Sequence, residues 1–394
     1  MKALFLIILS LFSLAILAQE DSTKLNQDAI YNRPFINVGE TRTAVGGYIE
    51  GNTNYFVEDG ITEGFSMELR RFNIFLFSQI GKRIKLLSEL EFEHGTEEIA
   101  IETAILDFSI AQGITFRAGI LLPAIGVFNT NHDSPNWGFV ERPISSTGII
   151  PTTLSEVGFG FQGKLYPTDQ VILSYDAYLV NGLRDNIILN NSGRTDISQG
   201  KSPEMFGEDN NGSPMLNGRI SIANRNIGEI GFSTYGGTYN SYRLEGEAVD
   251  VNRKMWLFAA DFSTSINNLQ IIGEVVKAKI DVPTAINEIY GTDQLGGFVD
   301  FTYPIYKGKV GWFENSEIQL ALRGEYADFN QGNFTTNINT RKGDENMGYG
   351  VGLSFLPQPG TRIRANYRYN QVTDVLANPA AKIAGFQFGV ASYF

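Results

Sequence analysis

From residue 42 onward, apolar residues alternate with polar or small ones. Leu173, Tyr175, Ala177 and Leu179 alternate with Ser174, Asp176 and Tyr178. Trp256, Phe258, Ala260 and Phe262 alternate with Leu257, Ala259, Asp261 and Ser263, and Ile363, Ala365, Tyr367 and Tyr369 with Arg362, Arg364, Asn366 and Arg368. A period of two is that of a strand with unlike faces, because successive side chains point to opposite sides. Helical periodicity is nearly absent. The pattern predicts sixteen strands, near 42–57, 64–79, 82–94, 98–111, 113–122, 156–166, 170–181, 216–225, 229–239, 252–264, 268–279, 294–305, 316–328, 346–356, 360–371 and 383–394.

The connections add a second regularity. Counted from the N-terminus, the even ones are mostly tight, such as Ile80-Gly81, Ala111-Gln112-Gly113 and Pro357-Gln358-Pro359, with 306–315 as a longer exception. The long ones are odd: 123–155, 182–215, 240–251, 280–293, 329–345 and 372–382. Short turns on one rim and long loops on the other mark a transmembrane antiparallel β-barrel of the bacterial outer membrane. The fold class expected is therefore all-β, with short periplasmic turns and long extracellular loops. A propeller would repeat every 40–50 residues or so, and no such repeat is present. Lipid demands closure, since every backbone N–H and C=O must be paired there. A barrel of this strand number is wide enough for an aqueous lumen.

The N-terminus fits export. Met1-Lys2, an apolar run from Ala3 to Leu17 and Ala18-Gln19 read as a signal peptide over 1–18, cut after Ala18. The run is short of the roughly 20 residues of a spanning helix. Residues 19–41 are expected as a periplasmic N-terminal segment, and 42–394 as the barrel with long loops 123–155 and 182–215. The last strand closes on Phe386-Gln387-Phe388 through Ser392-Tyr393-Phe394, which resembles the signal read by the barrel-assembly machinery, with Phe394 as its terminus.

Composition narrows the chemistry. The 394 residues include no Cys, two His, 31 Lys and Arg, and 43 Asp and Glu, for a net charge of −12. The lack of Cys excludes a disulfide scaffold, a thiol nucleophile and Cys-ligated metal. The acidic balance speaks against nucleic acid as a partner. Arg362, Arg364 and Arg368 share one strand face, and Arg323 alternates with Leu322. If their apolar neighbours meet lipid, these arginines line the lumen. They can then pass an anion from site to site, or they neutralise luminal acids and fix the wall. Arg83, Lys85, Glu89, Glu91 and Glu93 likewise share a face, either as one side of a transverse field or as a salt-bridged wall. Loop 123–155 is aromatic and poor in charge, with Arg142 among its few cations, and is expected to fold into the lumen as a constriction. Loop 182–215, rich in Asn, Gly and Ser, is expected as a mobile surface loop. Asp209-Asn210-Asn211-Gly212 lacks the full spacing of a calcium loop. His132, Asp133 and Ser134 are adjacent, and adjacent residues rarely build a working triad. No catalytic residue, metal or cofactor is expected.

Several short motifs carry a resemblance: Glu68-Leu69-Arg70-Arg71-Phe72, Phe116-Arg117-Ala118-Gly119 leading to Pro123 and Gly126, Phe139-Val140-Glu141-Arg142-Pro143, Gly158-Phe159-Gly160 and Leu179-Val180-Asn181-Gly182. With them the chain resembles the phosphate-selective porin O and P family of bacterial outer-membrane porins. The resemblance implies a sixteen-stranded, trimer-forming porin, a loop narrowing the pore, and phosphate or polyphosphate bound by luminal arginines and lysines. The chain departs from the family in having Arg142 but no lysine cluster in that loop. The expected function is passive diffusion of small hydrophilic solutes, with an anion or phosphate preference through the arginine row. The alternative is a structural or adhesive barrel with a plugged lumen. Partners implied are outer-membrane lipid, the solutes and a homotrimer.

Overall fold

A computed structural model describes residues 24–37, 42–335 and 340–394; the expected signal peptide lies outside the described residues. Sixteen strands form one closed antiparallel barrel. They are β1 (Thr43–Glu58), β2 (Phe65–Gln79), β3 (Ile84–Glu93), β4 (Glu98–Ala111), β5 (Ile114–Leu121), β6 (Glu156–Leu165), β7 (Val171–Val180) and β8 (Met215–Asn224). The second half comprises β9 (Gly228–Thr238), β10 (Lys254–Ile266), β11 (Leu269–Ile280), β12 (Asp293–Val310), β13 (Phe313–Asp328), β14 (Glu345–Gln358), β15 (Thr361–Val372) and β16 (Ala381–Tyr393). Closure comes from β1 on β16, in register from Tyr48 opposite Tyr393 to Glu58 opposite Ile383. Phe394 continues the ladder by exchanging backbone hydrogen bonds with Gly47.

All sixteen strands fall where the alternation places them, and the parity of the connections is stricter than expected. The one long even connection, 306–315, does not exist: β12 runs to Val310, β13 starts at Phe313, and the chain turns at Gly311 with φ +59°. Register shifts between Pro304 and Tyr306 and between Gly308 and Val310 explain the misreading. Each bulge inserts an unpaired residue, which throws the alternation out of phase while the strand continues.

The barrel is inverted relative to a water-soluble protein. Its outward positions are apolar and open, as at Ile220 (64% exposed) and Phe232 (57%). The intervening inward positions are polar or charged and buried, as at Arg219 beside Ile220 and Asp261 opposite Gly231. An apolar outer wall over a closed hydrogen-bond ladder is what a bilayer requires.

The lumen is filled in layers. Near the short-turn rim lies a strap, residues 24–37, coiled in two 3-10 turns, Asn26–Tyr31 and Pro34–Asn37. The segment expected on the periplasmic side thus has its described part inside the barrel mouth. At mid-height, loop 122–155 crosses the lumen. Above it sits loop 181–214, which corrects the expectation of a mobile surface loop. Its Leu183, Ile187, Ile197 and Met205 are buried in the main apolar cluster, with Leu122, Ile125, Ile149 and Leu154 of the loop below. Burial of those few aliphatic side chains outweighs the polar composition around them.

Candidate functional site: the luminal constriction

Loop 122–155 is held on two sides by different chemistry. Its flanks bring Leu122, Ile125, Ile149, Ile150 and Leu154 against inward aliphatic residues such as Leu87, Ile105, Leu257 and Val276. Backbone donors there are met by the wall: Ala124 N–H by Asn217 (2.9 Å), Gly126 N–H by Ser233 (3.0 Å) and Val127 N–H by Glu274 (2.9 Å).

Its middle is held by charged side chains of β13, β15 and β1. Arg364 donates through Nη1 to the carbonyls of Ser134 (3.1 Å), Trp137 (2.9 Å) and Phe139 (2.7 Å). Its Nη2 reaches Ser134 Oγ at 2.6 Å and Glu50 at 3.1 Å. Arg362 donates to Pro135 O (3.2 Å) and Gln319 (2.8 Å). Arg323 makes a two-point pair with Asp300 (2.7 and 2.6 Å), donates to Glu141 O at 2.8 Å and stacks 4.5 Å from the Phe139 ring. Asn366 accepts from Val140 N–H at 2.8 Å and donates to Gly138 O at 3.1 Å. The predicted arginine row therefore faces the lumen, with these donors turned onto the loop backbone.

On the facing wall, Glu89 accepts from Arg33 of the strap (2.7 Å) and from Asn73 (2.6 Å). Glu91 accepts from Asn73 at 2.8 Å and lies 3.6 Å from Arg71, and Arg71 also pairs with Glu50 and Glu93. His132 lies between Glu102 (3.1 Å from Nε2) and Asn129 O (3.0 Å from Nδ1). Burial alone would depress the imidazolium, but the Glu102 carboxylate outweighs it and holds the pKa up at about 10. Both ring nitrogens then donate at neutral pH. Oxygens of Glu89, Glu91 and Glu102 lie within 4.8 Å of one another, a spacing a cation could bridge. Arg33, Arg71 and His132 already supply positive charge there. Ser134 Oγ accepts a hydrogen bond from Arg364 and Asp133 accepts from Arg33, so His132, Asp133 and Ser134 are not joined as a relay.

Lys85 and Arg83 stand apart from this cluster. Lys85 lies 5.3 Å over the Tyr31 ring at the short-turn mouth, and Arg83 is an exposed rim residue reaching Ile110 O at 3.4 Å.

Toward the long-loop rim a vestibule of about 350 Å³ is open, with Arg142, Arg194 and Arg368 in its lining. Arg194 is paired with Asp344, and Arg368 with Glu325 at 2.9 Å. Glu141, also in the lining, binds Arg70 through two bonds (2.7 and 2.8 Å). Burial would raise its pKa, but the Arg70 hydrogen bonds outweigh that and bring it down to about 2. Arg142 instead donates to Thr152 O (3.3 Å) and Thr153 Oγ1 (3.2 Å), and its Nη2 has no hydrogen-bond partner.

Sequence reasoning missed Arg33, Arg71, Glu50, Glu102 and Asp300. For the strand residues the signal was present, since each occupies an inward phase. For Arg33 there was none, because the strap is too short for any periodicity to show.

No family model matches the chain. An uncharacterized protein of Aquifex aeolicus (strain VF5) is 26% identical over 342 residues, covering 82% of this chain and 74% of that protein. Among solved structures, the outer membrane channel DcaP of Acinetobacter baumannii superposes with a TM-score of 0.57 at 11% identity, covering 90% of this chain and 99% of its own. The anion-selective porin from Comamonas acidovorans gives 0.56 at 10% identity, covering 89% and 99%. A trimer form of OmpT of Vibrio cholerae gives 0.53 at 12% identity, covering 90% and 100%. At these identities the shared property is the fold. Together with its lipid-ready outer wall, that fold makes this chain an integral β-barrel of the bacterial outer membrane.

Proposed function

We propose that the chain is a porin-type channel for small hydrophilic solutes, with an anion preference set at the vestibule. The observation that carries this reading is the open vestibule leading onto a charged lumen. Of its three arginines, Arg142 alone has no carboxylate within ion-pair distance among the described residues, so it brings an uncompensated positive charge to the vestibule wall, although its unbonded Nη2 is itself buried. The luminal row of Arg323, Arg362 and Arg364 supports the loop, so a phosphate preference of the kind the family resemblance implies would rest on Arg142 and not on that row. The same reading includes export by residues 1–18, assembly through the strand ending at Phe394, and a homotrimer.

The test is single-channel conductance in a planar bilayer under a KCl gradient, then with added phosphate. Ohmic steps with an anion-favouring reversal potential, weakened in Arg142→Gln, are expected. Phosphate block lost in the same variant would extend the preference to phosphate.

One observation favours a second reading, a structural barrel with a plugged lumen: both the strap and loop 122–155 cross the lumen. A folded, heat-modifiable barrel that stays silent, and stays silent in Arg364→Ala, would decide for it.

A further inference from the structure

The strap and the loop beneath which it lies are joined at both ends of the strap. At the first, Asn26 Nδ2 donates to Gly126 O (3.0 Å) and Thr130 Oγ1 donates to Asn26 Oδ1 (3.0 Å). At the second, Arg33 grips Asp133 with Nε and Nη2, both at 2.8 Å, and Nη2 also reaches Glu89 at 2.7 Å. The same guanidinium lies 3.7 Å over the Phe75 ring, and Phe35 packs on Phe75 at 5.6 Å. The strap is tied to the wall as well, through Asn26 N–H to Glu229 (2.8 Å) and Tyr31 to Asp107 (2.6 Å).

Three features separate this element from the barrel that encloses it. It adds no strand to the sheet, which closes through β1 and β16 without it. Its hold is mostly polar, with Leu25, Ile30 and Phe35 as its large buried apolar side chains. And it bears on the charge-held middle of the loop, through Asp133. Between strap and loop remains a cavity of about 10 Å³, room for about one water. The loop middle cannot leave the lumen while Asp133 is bound from beneath.

We propose that residues 24–37 are a lock: an internal segment that holds loop 122–155 across the lumen, and whose release frees the loop middle and widens the path. The lock rests on the channel reading above. Arg33 is its latch. Its guanidinium answers two buried carboxylates on different elements, so losing it removes their nearest cation and leaves both to the more distant His132, 3.9 Å from Glu89 and 3.8 Å from Asp133. Asn26 is the second catch.

The chain has no Cys, so an introduced pair reacts alone. Asn26→Cys with Thr130→Cys, joined by oxidation or a short bifunctional thiol reagent, fixes the strap to the loop. Deletion of 24–37 removes it, and Arg33→Gln weakens it. Each variant is first shown to be a folded barrel by its heat-modifiable mobility, then measured in a planar bilayer with KCl. The expected order of conductance and open time is linked pair lowest, then wild type, Arg33→Gln and the deletion, with the deletion several-fold above wild type. Adding reductant to the oxidised pair returns it to the wild-type level. Equal conductance in wild type, linked pair and deletion overturns the lock and leaves the channel reading standing. Silence in all of them, with folded barrels, overturns both.

Discussion

The two attachments of loop 122–155 show how differently one segment can be held within a single lumen. On the side of β3 to β11 it adheres by burial of Leu122, Ile125, Ile149 and Leu154, an interaction without direction that tolerates small shifts. On the side of β13, β15 and β1 it is held by directed bonds from Arg364, Arg323 and Asn366 to backbone atoms. Apolar burial sets where the loop lies, and the charged wall sets its path. Apolar burial is itself insensitive to salt and pH; the titratable contacts are those of the charged wall together with Glu274 of β11 on Val127 and Glu102 of β4 on His132.

Breaking the charged side at its centre should have the largest effect. Arg364→Ala leaves Glu50 with Arg71 as its remaining ion-pair partner and removes a donor from three loop carbonyls, of which Ser134 O keeps the Trp137 N–H. A loss of about 3–5 kcal/mol is expected, as for other buried pairs broken from one side. It is read as a lower denaturant midpoint and as new protease cutting within 131–142. Arg364→Lys keeps the charge but not the fork, and should recover only part of this.

Breaking the apolar side comes next. Ile149 is fully buried, and Ile149→Ala should cost about 2–4 kcal/mol through lost burial and the void left behind. That loss should be unchanged between low and high salt, and the loss from Arg364→Ala, at a pair at most 1% exposed, nearly so. A loss from Arg364→Ala that shrinks strongly as salt rises would show that water and ions reach the charged side.

The division also explains what could be read in the sequence. The barrel was legible because period two and connection parity are both imposed by lipid, and both survive in the chain without any tertiary knowledge. It failed only where bulges shifted the phase, at 304–310. The inward direction of Arg323, Arg362 and Arg364 was legible for the same reason. What they bind was not, since their partners are carbonyls of Ser134, Pro135, Phe139 and Glu141, and a backbone carbonyl leaves no mark in a sequence. Loop 181–214 misled because its aliphatic residues are spread over irregular turns, where burial has no period to reveal it.

A pH titration probes the loop middle, where His132 meets Glu102 of β4. His132 has a folded pKa of about 10 against 6.5 for the free side chain, so its imidazolium is favoured in the folded chain. Its contribution is complete below about pH 6.5 and is lost as pH rises through 10. Protease protection of the loop middle should therefore fall between neutral pH and pH 10, and His132→Gln should remove that dependence. A flank protected by Ile149 should keep its protection over the same range.

The smallest effect separates ion pairs within the charged side itself. Arg70 and Glu141 make a two-point pair at 2.7 and 2.8 Å, yet their side chains are 17% and 24% exposed beside the vestibule, where Arg364 and Glu50 are at most 1%. Water in the vestibule solvates both partners and mobile ions screen them. Geometry that would matter in a dry site thus contributes about 1 kcal/mol or less here. Arg70→Gln should lower the denaturant midpoint only slightly at low salt and not measurably at high salt. A loss from Arg70→Gln approaching that of Arg364→Ala would mean the vestibule excludes water. The open mouth on which the anion preference rests would then be closed in solution.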